Sequence, residues 1–429
     1  MATTGPFRGD FSKNALVAVA AGGTYRSVLG NREFSALLFS QALSILGDQI
    51  ARIAVAVMVF RQTHSAFAAS ATYAVSYLTY LLGGPVLAAL SDRYPRRTVM
   101  VLSDLGRAAV VAFLTISQLS LPVLFTLLVL LEALAPAFDS ARGASLPDIL
   151  PGDLYPKGNA LCNLAFQGAQ VAGFALGGLL LTQVGPSRAL LVDSGTFLVS
   201  AGVLLVALQA HKPVRQEAAQ GLLRETVDGI RLVSGNRDLR NLLAFALMGA
   251  VAVAAPESLA VPTAASLGGG TVAAGLLTAS LPAGFVLASF AVLRLPSDRR
   301  RELLPRLVVV SAVPLLITPL AHDVPLTVVL WTLSGMGSSI QLVASAAYVA
   351  AAPAHARARA YGIASTVLMA SQGLAQLTAG SLSSALGLAH GPGLSVAAVA
   401  LGTLIVLPVF ACNVRLQDKA AQENGDPVR

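Results

Sequence analysis

Twelve stretches of this chain are too long and too apolar to remain in water. They fall at roughly 34–60, 68–90, 98–119, 122–142, 160–182 and 188–209, and, after a polar stretch at 210–238, at about 240–262, 271–294, 305–321, 324–348, 359–386 and 392–412. A helix needs about 20 apolar residues to cross the hydrocarbon core of a bilayer. The composition agrees, because 55% of the 429 residues are apolar and only 12% are charged, against about a quarter charged in soluble domains. These figures exclude a cytosolic enzyme and a disordered chain. They predict an all-α polytopic membrane protein with 12 transmembrane helices. The ninth run, short and carrying Pro314 and Pro319, is the weakest of the set.

The basic residues fix an expected orientation. With an even count and both termini in the cytoplasm, 25 of the 29 Lys and Arg residues fall in inner segments, and only Arg61 and Arg188 fall outside. Arg52 and Arg107 lie within spans. This is the asymmetry that the positive-inside rule requires, and shifting the count by one span would scramble it. The net charge of +8 is thereby read as topology, with no nucleic-acid partner.

The two halves repeat each other. Gly30, Asn31, Arg32 and Glu33 open the first, and Gly235, Asn236, Arg237 and Asp238 open the second 205 positions later. Ser91, Asp92 and Arg93 return as Ser297, Asp298 and Arg299, and Gln170 returns as Gln372, at offsets of 206 and 202. A six-helix unit duplicated in the same orientation gives two pseudo-symmetric six-helix bundles, the parallel repeat found among membrane transport folds. The expected organisation is an N-terminal extension at 1–33, a first bundle at 34–209, a linker at 210–238, a second bundle at 239–412 and a tail at 413–429. The extension holds an apolar stretch, Ala15 to Gly22, too short to span. In the linker, Leu222, Leu223, Val227 and Ile230 recur at helical spacing among charged residues, as in an amphipathic helix at a membrane surface. A solvated linker is the alternative.

The residues 87–100, LAALSDRYPRRTVM, carry Asp92, Arg93, Arg96 and Arg97 in the pattern of the loop between helices 2 and 3 of the major facilitator superfamily, which the chain resembles over nearly its whole length. Ala88 and Pro95 stand where that pattern has glycines. The segments 31–50, 141–154 and 222–243 are similar to the branch containing the enterobactin exporter and macrolide efflux proteins. In span 5, Gly173 to Gly178 resembles the Gly-Pro-x-x-Gly-Gly element of antiporters, with Phe174 in place of proline. Close helix packing by small residues is an equal reading of that element. The resemblance implies the major facilitator fold and a cytoplasmic gate in which Asp92 faces the N-terminus of span 11, with Arg142 as its basic partner.

Ionisable groups inside hydrocarbon cost roughly 2.5–3.5 kcal/mol on insertion scales and usually face a cavity or a partner. Gln41, Ser44, Asp48 and Arg52 recur at three or four residues along span 1 and share one face. That face either lines an aqueous cavity with Asp48 as a protonatable site, or carries a self-neutralising Asp48–Arg52 pair. Glu257, after Pro256 in span 7, is the repeat partner of Arg52, so the two are expected to pair and close the outer side. Glu132 is a lone acid near the middle of span 4, expected to be protonated or to pair with Arg52 or Arg107. Asp104 and Arg107 read as an i, i+3 pair in span 3. Asn163, Gln167 and Gln170 in span 5, with Tyr361, Ser365, Gln372 and Gln376 in span 11, either line the cavity or hold helices together. Trp331 reads as an interface anchor.

Cys162 and Cys412 lack metal-type spacing and read as small apolar residues. No phosphate loop or zinc motif is present in the sequence, so no enzyme activity and no cofactor is expected, and the energy source is a proton gradient. Together with the resemblance, this implies a monomeric secondary exporter in the bacterial cytoplasmic membrane, whose partners are the lipid bilayer, protons and an amphiphilic small molecule. Uptake, lysolipid flipping and a non-transporting sensor or assembly role are the alternatives.

Overall fold

A computed structural model of the chain describes residues 22–116, 119–152, 154–209, 222–353 and 356–423. All regular structure among the described residues is helical. The first half holds α1 (Gly22–Leu29), α2 (Arg32–Thr63), α3 (Ala66–Arg93), α4 (Arg96–Leu114), α5 (Leu121–Ile149) and α6 (Leu154–Ala207). The linker helix α7 (Leu222–Gly235) leads to α8 (Arg237–Ser266), α9 (Thr271–Leu293) and the short α10 (Ser297–Glu302). The chain then forms α11 (Leu304–Ile317), α12 (Val324–Gly337), α13 (Ile340–Ala351), α14 (Arg357–Leu386) and α15 (Gly391–Glu423).

Seven of the described segments are long and apolar enough to cross a membrane, and a shorter apolar helix joins them. The set is compatible with twelve crossings. The 54-residue α6 would run about 80 Å if straight, more than twice a bilayer core. It breaks at Gly185, whose φ of 77° is left-handed, and Pro186 follows, so the fifth and sixth apolar runs are two arms of one broken helix.

Two apolar runs differ from simple spans. The ninth is a 14-residue helix that tightens into a 3₁₀ turn, Thr318–Leu320, around Pro319. The tenth divides at Ser338 and Ser339 into α12 and α13, with Ser338 N donating to Gly335 O at 3.1 Å.

The duplicated opening motif is a helix cap. Asn31 Oδ1 accepts from the backbone N–H groups of Glu33 and Phe34 at 3.0 and 3.2 Å, and Asn236 Oδ1 does the same for Asp238 and Leu239 at 2.9 and 3.2 Å. Each asparagine satisfies donors that the first turn of a helix leaves free. Glu33 and Asp238 follow in those first turns, where carboxylates suit the helix dipole. The cap also ties helices together, since Asn31 Nδ2 donates to Ile149 O at 3.1 Å.

Within the N-terminal extension, α1 forms and buries Val28. Residues 1–21, including most of the apolar stretch from Ala15, and residues 210–221 of the linker lie outside the described residues, as does the side chain of Cys412. The linker helix packs on α14, where a Cβ at Gly229 would meet Arg359 and Ile363. Val233 is buried and Val227 and Ile230 are exposed.

Within the first half, α2 and α4 pack along α6, and α3 along α5; within the second, α9 packs on α12, and α14 and α15 on α8. The halves meet where α3 contacts α14 and α8, and where α6 contacts α9. The end of the bundle carrying the Asn31 and Asn236 caps is here termed the basic end. At the opposite end the halves are sealed. Phe67 N donates to Ser384 Oγ at 2.9 Å, Ser70 Oγ to Ser258 O at 3.3 Å, and the hydroxyls of Thr182 and Thr271 are 3.1 Å apart. The helices α6 and α9 touch backbone to backbone, since a Cβ on Gly275 would lie 2.7 Å from the Cα of Gly178.

This seal is testable. The hydroxyls of Ser65 and Ser384 are 3.5 Å apart, so a Ser65→Cys/Ser384→Cys protein is expected to cross-link under mild oxidation. Adding Gly275→Leu overpacks the α6–α9 contact, at about 1–3 kcal/mol. The cross-linked to free ratio, read on a gel, should fall by about 5- to 150-fold.

Candidate functional site

A cavity of about 800 Å3 lies between the two halves. Its wall includes Leu242 near the start of α8, Tyr348 in the last turn of α13 and Tyr361 near the start of α14. All three stand at the basic end, so the cavity opens there and narrows toward the sealed end.

Of the expected cavity residues, Gln41, Asp48, Arg52, Glu132, Gln167, Gln170, Glu257 and Gln372 line the wall. Gln376 does not. It is fully buried, and neither atom of its amide has a hydrogen-bond partner. Gln372 lines the cavity yet donates to Leu368 O of its own helix at 3.3 Å.

The ion pairing differs from the sequence expectation. Asp48 Oδ1 accepts from Arg107 Nη2 at 2.5 Å, and Arg52 forms no ion pair within 4 Å among the described residues. The i, i+4 spacing of Asp48 and Arg52 is permissive, but Arg107 reaches Asp48 from α4, which like α2 packs along α6, and arrives with its own desolvation largely complete. Its side chain is 6% exposed against 20% for Asp48, and its Cζ lies 4.3 Å from the centre of the Phe197 ring. A guanidinium over an aromatic face in a desolvated site gains cation–π attraction.

The expected Asp104–Arg107 pair is absent for the same reason. Arg107 turns to α2, and Asp104 Oδ2 accepts instead from Ser200 Oγ of α6 at 2.5 Å. Glu132 pairs with neither arginine and accepts from Ser76 Oγ at 2.5 Å. Glu257 Oε2 accepts from Tyr77 Oη at 3.4 Å, so Arg52 and Glu257 share the deep wall and do not pair to close the sealed end. Hydroxyls and glycines close it.

At the basic end, Arg96 pairs with Asp148 and also donates to Ala144 O at 2.7 Å, while Arg97 donates to Leu208 O at 3.1 Å. Both contacts stay within the first half. The side chains of Asp92 and Arg93 lie outside the described residues. Arg142 donates to Gln41 Oε1 at 3.3 Å and lies 3.8 Å from Asp139. Trp331 is fully buried and is therefore no interface anchor. Gly173 and Gly177 pack on the α2 backbone and Gly178 on α9, which is the close-packing reading of that element.

Sequence patterning passes over Asp193, Ser76 and Tyr77. Asp193 is fully buried in the second arm of α6. The signal for it was available, since it is an acid inside an apolar run, as Asp48 is. Ser76 and Tyr77 carried none, because hydroxyls are ordinary in membrane helices.

The model of the Major Facilitator Superfamily matches residues 37–304. The chain belongs to this superfamily. It is 26% identical to the Multidrug efflux pump Tap of Mycolicibacterium fortuitum over 90% of this chain and 97% of Tap. It is 25% identical to the Macrolide efflux protein A of Streptococcus pyogenes over 49% of this chain and 53% of that protein. The chain spans about half the length of several relatives that it matches, including 47% of another MFS-type transporter. Among solved structures it resembles a bacterial homolog of the human lysosomal transporter Spinster in an inward-facing, unoccupied conformation. There the TM-score is 0.72 at 14% identity, covering 90% of this chain and 96% of that one. The superfamily fold therefore holds for this chain, and its members are membrane transporters.

The pairing has a direct consequence. Arg107→Ala leaves the Asp48 carboxylate without its counter-ion and should destabilise the folded protein by about 3–5 kcal/mol. Arg52→Ala, which removes no ion pair within 4 Å among the described residues, should cost less. Unfolding of the two purified variants in the same detergent distinguishes them.

Proposed function

We propose that the chain is a secondary active exporter that moves an amphiphilic small molecule out of a bacterial cell in exchange for protons, by alternating access. The observation that carries the reading is a carboxylate, Asp48, on the wall of a cavity open at one end and sealed at the other, held by an arginine buried behind it. Such a group has two stable settings. Ionised, it keeps Arg107; protonated, it releases Arg107 and leaves the wall less polar for a bound substrate.

The remainder of the wall suits an amphiphile. Phe138, Phe166, Phe174 and Phe285 offer apolar faces, and Gln41, Gln167, Gln170 and Gln372 offer amides between them. Most small-molecule sites have this pattern, with a few polar groups in an apolar wall. The names of relatives such as Tap support a drug-like substrate and outward direction.

In this reading the basic end faces the cytoplasm of a bacterial inner membrane, both termini lie inside, and the cavity loads from that side or from the inner leaflet. Asp92, Arg93, Arg96, Arg97 and Arg142 belong to the gate at that end. The two bundles, 34–209 and 239–412, rock about the cavity. The protein works as a monomer, without a cofactor, on the proton gradient.

Everted membrane vesicles with an acidified interior test this, with ethidium and erythromycin as probes. Wild-type vesicles should accumulate at least one probe and release protons as they do so. Asp48→Asn should abolish accumulation while probe exchange without a gradient persists within about twofold, because only the titrating group is lost. Accumulation by Asp48→Asn with unchanged pH dependence would contradict the assignment of Asp48.

A further inference from the structure

The helices α2, α4 and α6 meet in a polar seam behind the cavity wall, and more of it is charged than the wall needs. Gly47 is the contact point. A Cβ there would overlap Asp193 Oδ1 and Thr196 Oγ1, so the glycine lets the Asp193 carboxylate lie against the α2 backbone one residue from Asp48. Ser194 Oγ donates to Ala108 O at 2.9 Å, which fixes α6 against α4 one residue beyond Arg107. Phe197, the ring beneath the Arg107 guanidinium, is one turn along α6 from Asp193 and so shares its face.

The hydrogen bonding of this seam is incomplete in a matched way. Arg107 Nε is buried without a partner, and so are Asp193 Oδ2 and Asp104 Oδ1. Asp104 is otherwise held by Ser200 at 2.5 Å, whereas among the described residues Asp193 accepts only from its neighbour Thr196, at 3.2 Å. The charged groups facing Asp193 are Asp48 from α2 and Asp104 and Arg107 from α4. Glu132 of α5 and Arg52 of α2 act on Asp48 from the cavity side. Asp193 is thus the least satisfied carboxylate beside a cation that has a donor to spare, and it does not line the cavity.

We propose that Asp193 is a positioning residue that competes with Asp48 for Arg107 from behind the wall and keeps the guanidinium in the seam when Asp48 takes up a proton. The proposal rests on the proton-exchange reading of Asp48 and adds the partner that reading lacks. Without Asp193, release by Asp48 would leave a desolvated cation unpaired, and Asp48 would hold Arg107 unopposed.

The test follows the sealed end of the full-length protein in lipid nanodiscs, with Cys162→Ala, Cys412→Ser and spin labels at Gln62→Cys and Leu388→Cys, both exposed. Distance distributions between the labels, recorded across pH, give the midpoint of the switch between sealed and open. Asp193→Asn is nearly isosteric and should move that midpoint to lower pH by about one unit, a tenfold change in proton concentration, because Arg107 is then left to Asp48 alone. In an Asp48→Asn background the same substitution should move nothing, which a merely structural role would not produce. An unmoved midpoint in Asp193→Asn, with a wild type that does respond to pH, overturns the proposal and spares the proton-exchange reading. An equal shift in Asp104→Asn overturns the choice of Asp193. A wild type insensitive to pH overturns both the reading and the proposal.

Discussion

A charge placed in hydrocarbon is costly without a partner, and Arg107 on α4 and Asp48 on α2 supply one for each other. The bond determines more than its own neighbourhood. It forms with α2 turned so that the stripe from Gln41 to Arg52 faces the cavity while Gly47 faces α6. It brings Arg107 over Phe197 and leaves Asp104 to Ser200. Breaking one side of a desolvated pair costs about 3–5 kcal/mol, comparable to the whole stability of a marginal domain, so the pair can change partners only if another anion is near. The seam behind it holds Asp193, with one carboxylate oxygen left without a partner.

The halves meet through weak contacts by contrast. Single hydroxyl hydrogen bonds and a glycine-to-glycine approach hold the sealed end, and interhelical hydrogen bonds in membranes average about 0.6 kcal/mol. A seal built this way is weak enough to open, as the proposed alternating access requires. The two requirements of that proposal, rigid halves and a soft boundary, are matched by different chemistry, ion pairing within the first half and hydroxyl and small-residue contact between halves.

Much of this architecture was legible in the sequence. Apolar run length, basic-residue asymmetry and the Asn31/Asn236 repeat carry the helical bundle and its two halves, because each is a property of spacing along one chain. The stripe Gln41, Asp48, Arg52 was legible as a cavity face for the same reason. The partners were not. Arg107 and Asp48 are 59 residues apart, and no spacing rule selects a partner on another helix when a neighbour four residues away carries the right sign. The pairing of Arg52 with Glu257 failed similarly, since pseudo-symmetry matches positions along the halves but does not determine which side chains touch. Gln376 shows the opposite limit, sharing the period of Gln372 while facing α3, where Gly373 and Gly380 bring that helix close.

Asp48 is proposed as the group that gains and loses a proton in the working cycle. Infrared difference spectroscopy on the purified protein in lipid, between alkaline and acidic buffer, observes that event without a substrate. A protonated carboxyl carries a C=O stretch that a carboxylate lacks, and such a band is expected in the wild type, lost in Asp48→Asn and displaced in Arg107→Gln. The same band persisting unchanged in Asp48→Asn would contradict that proposal.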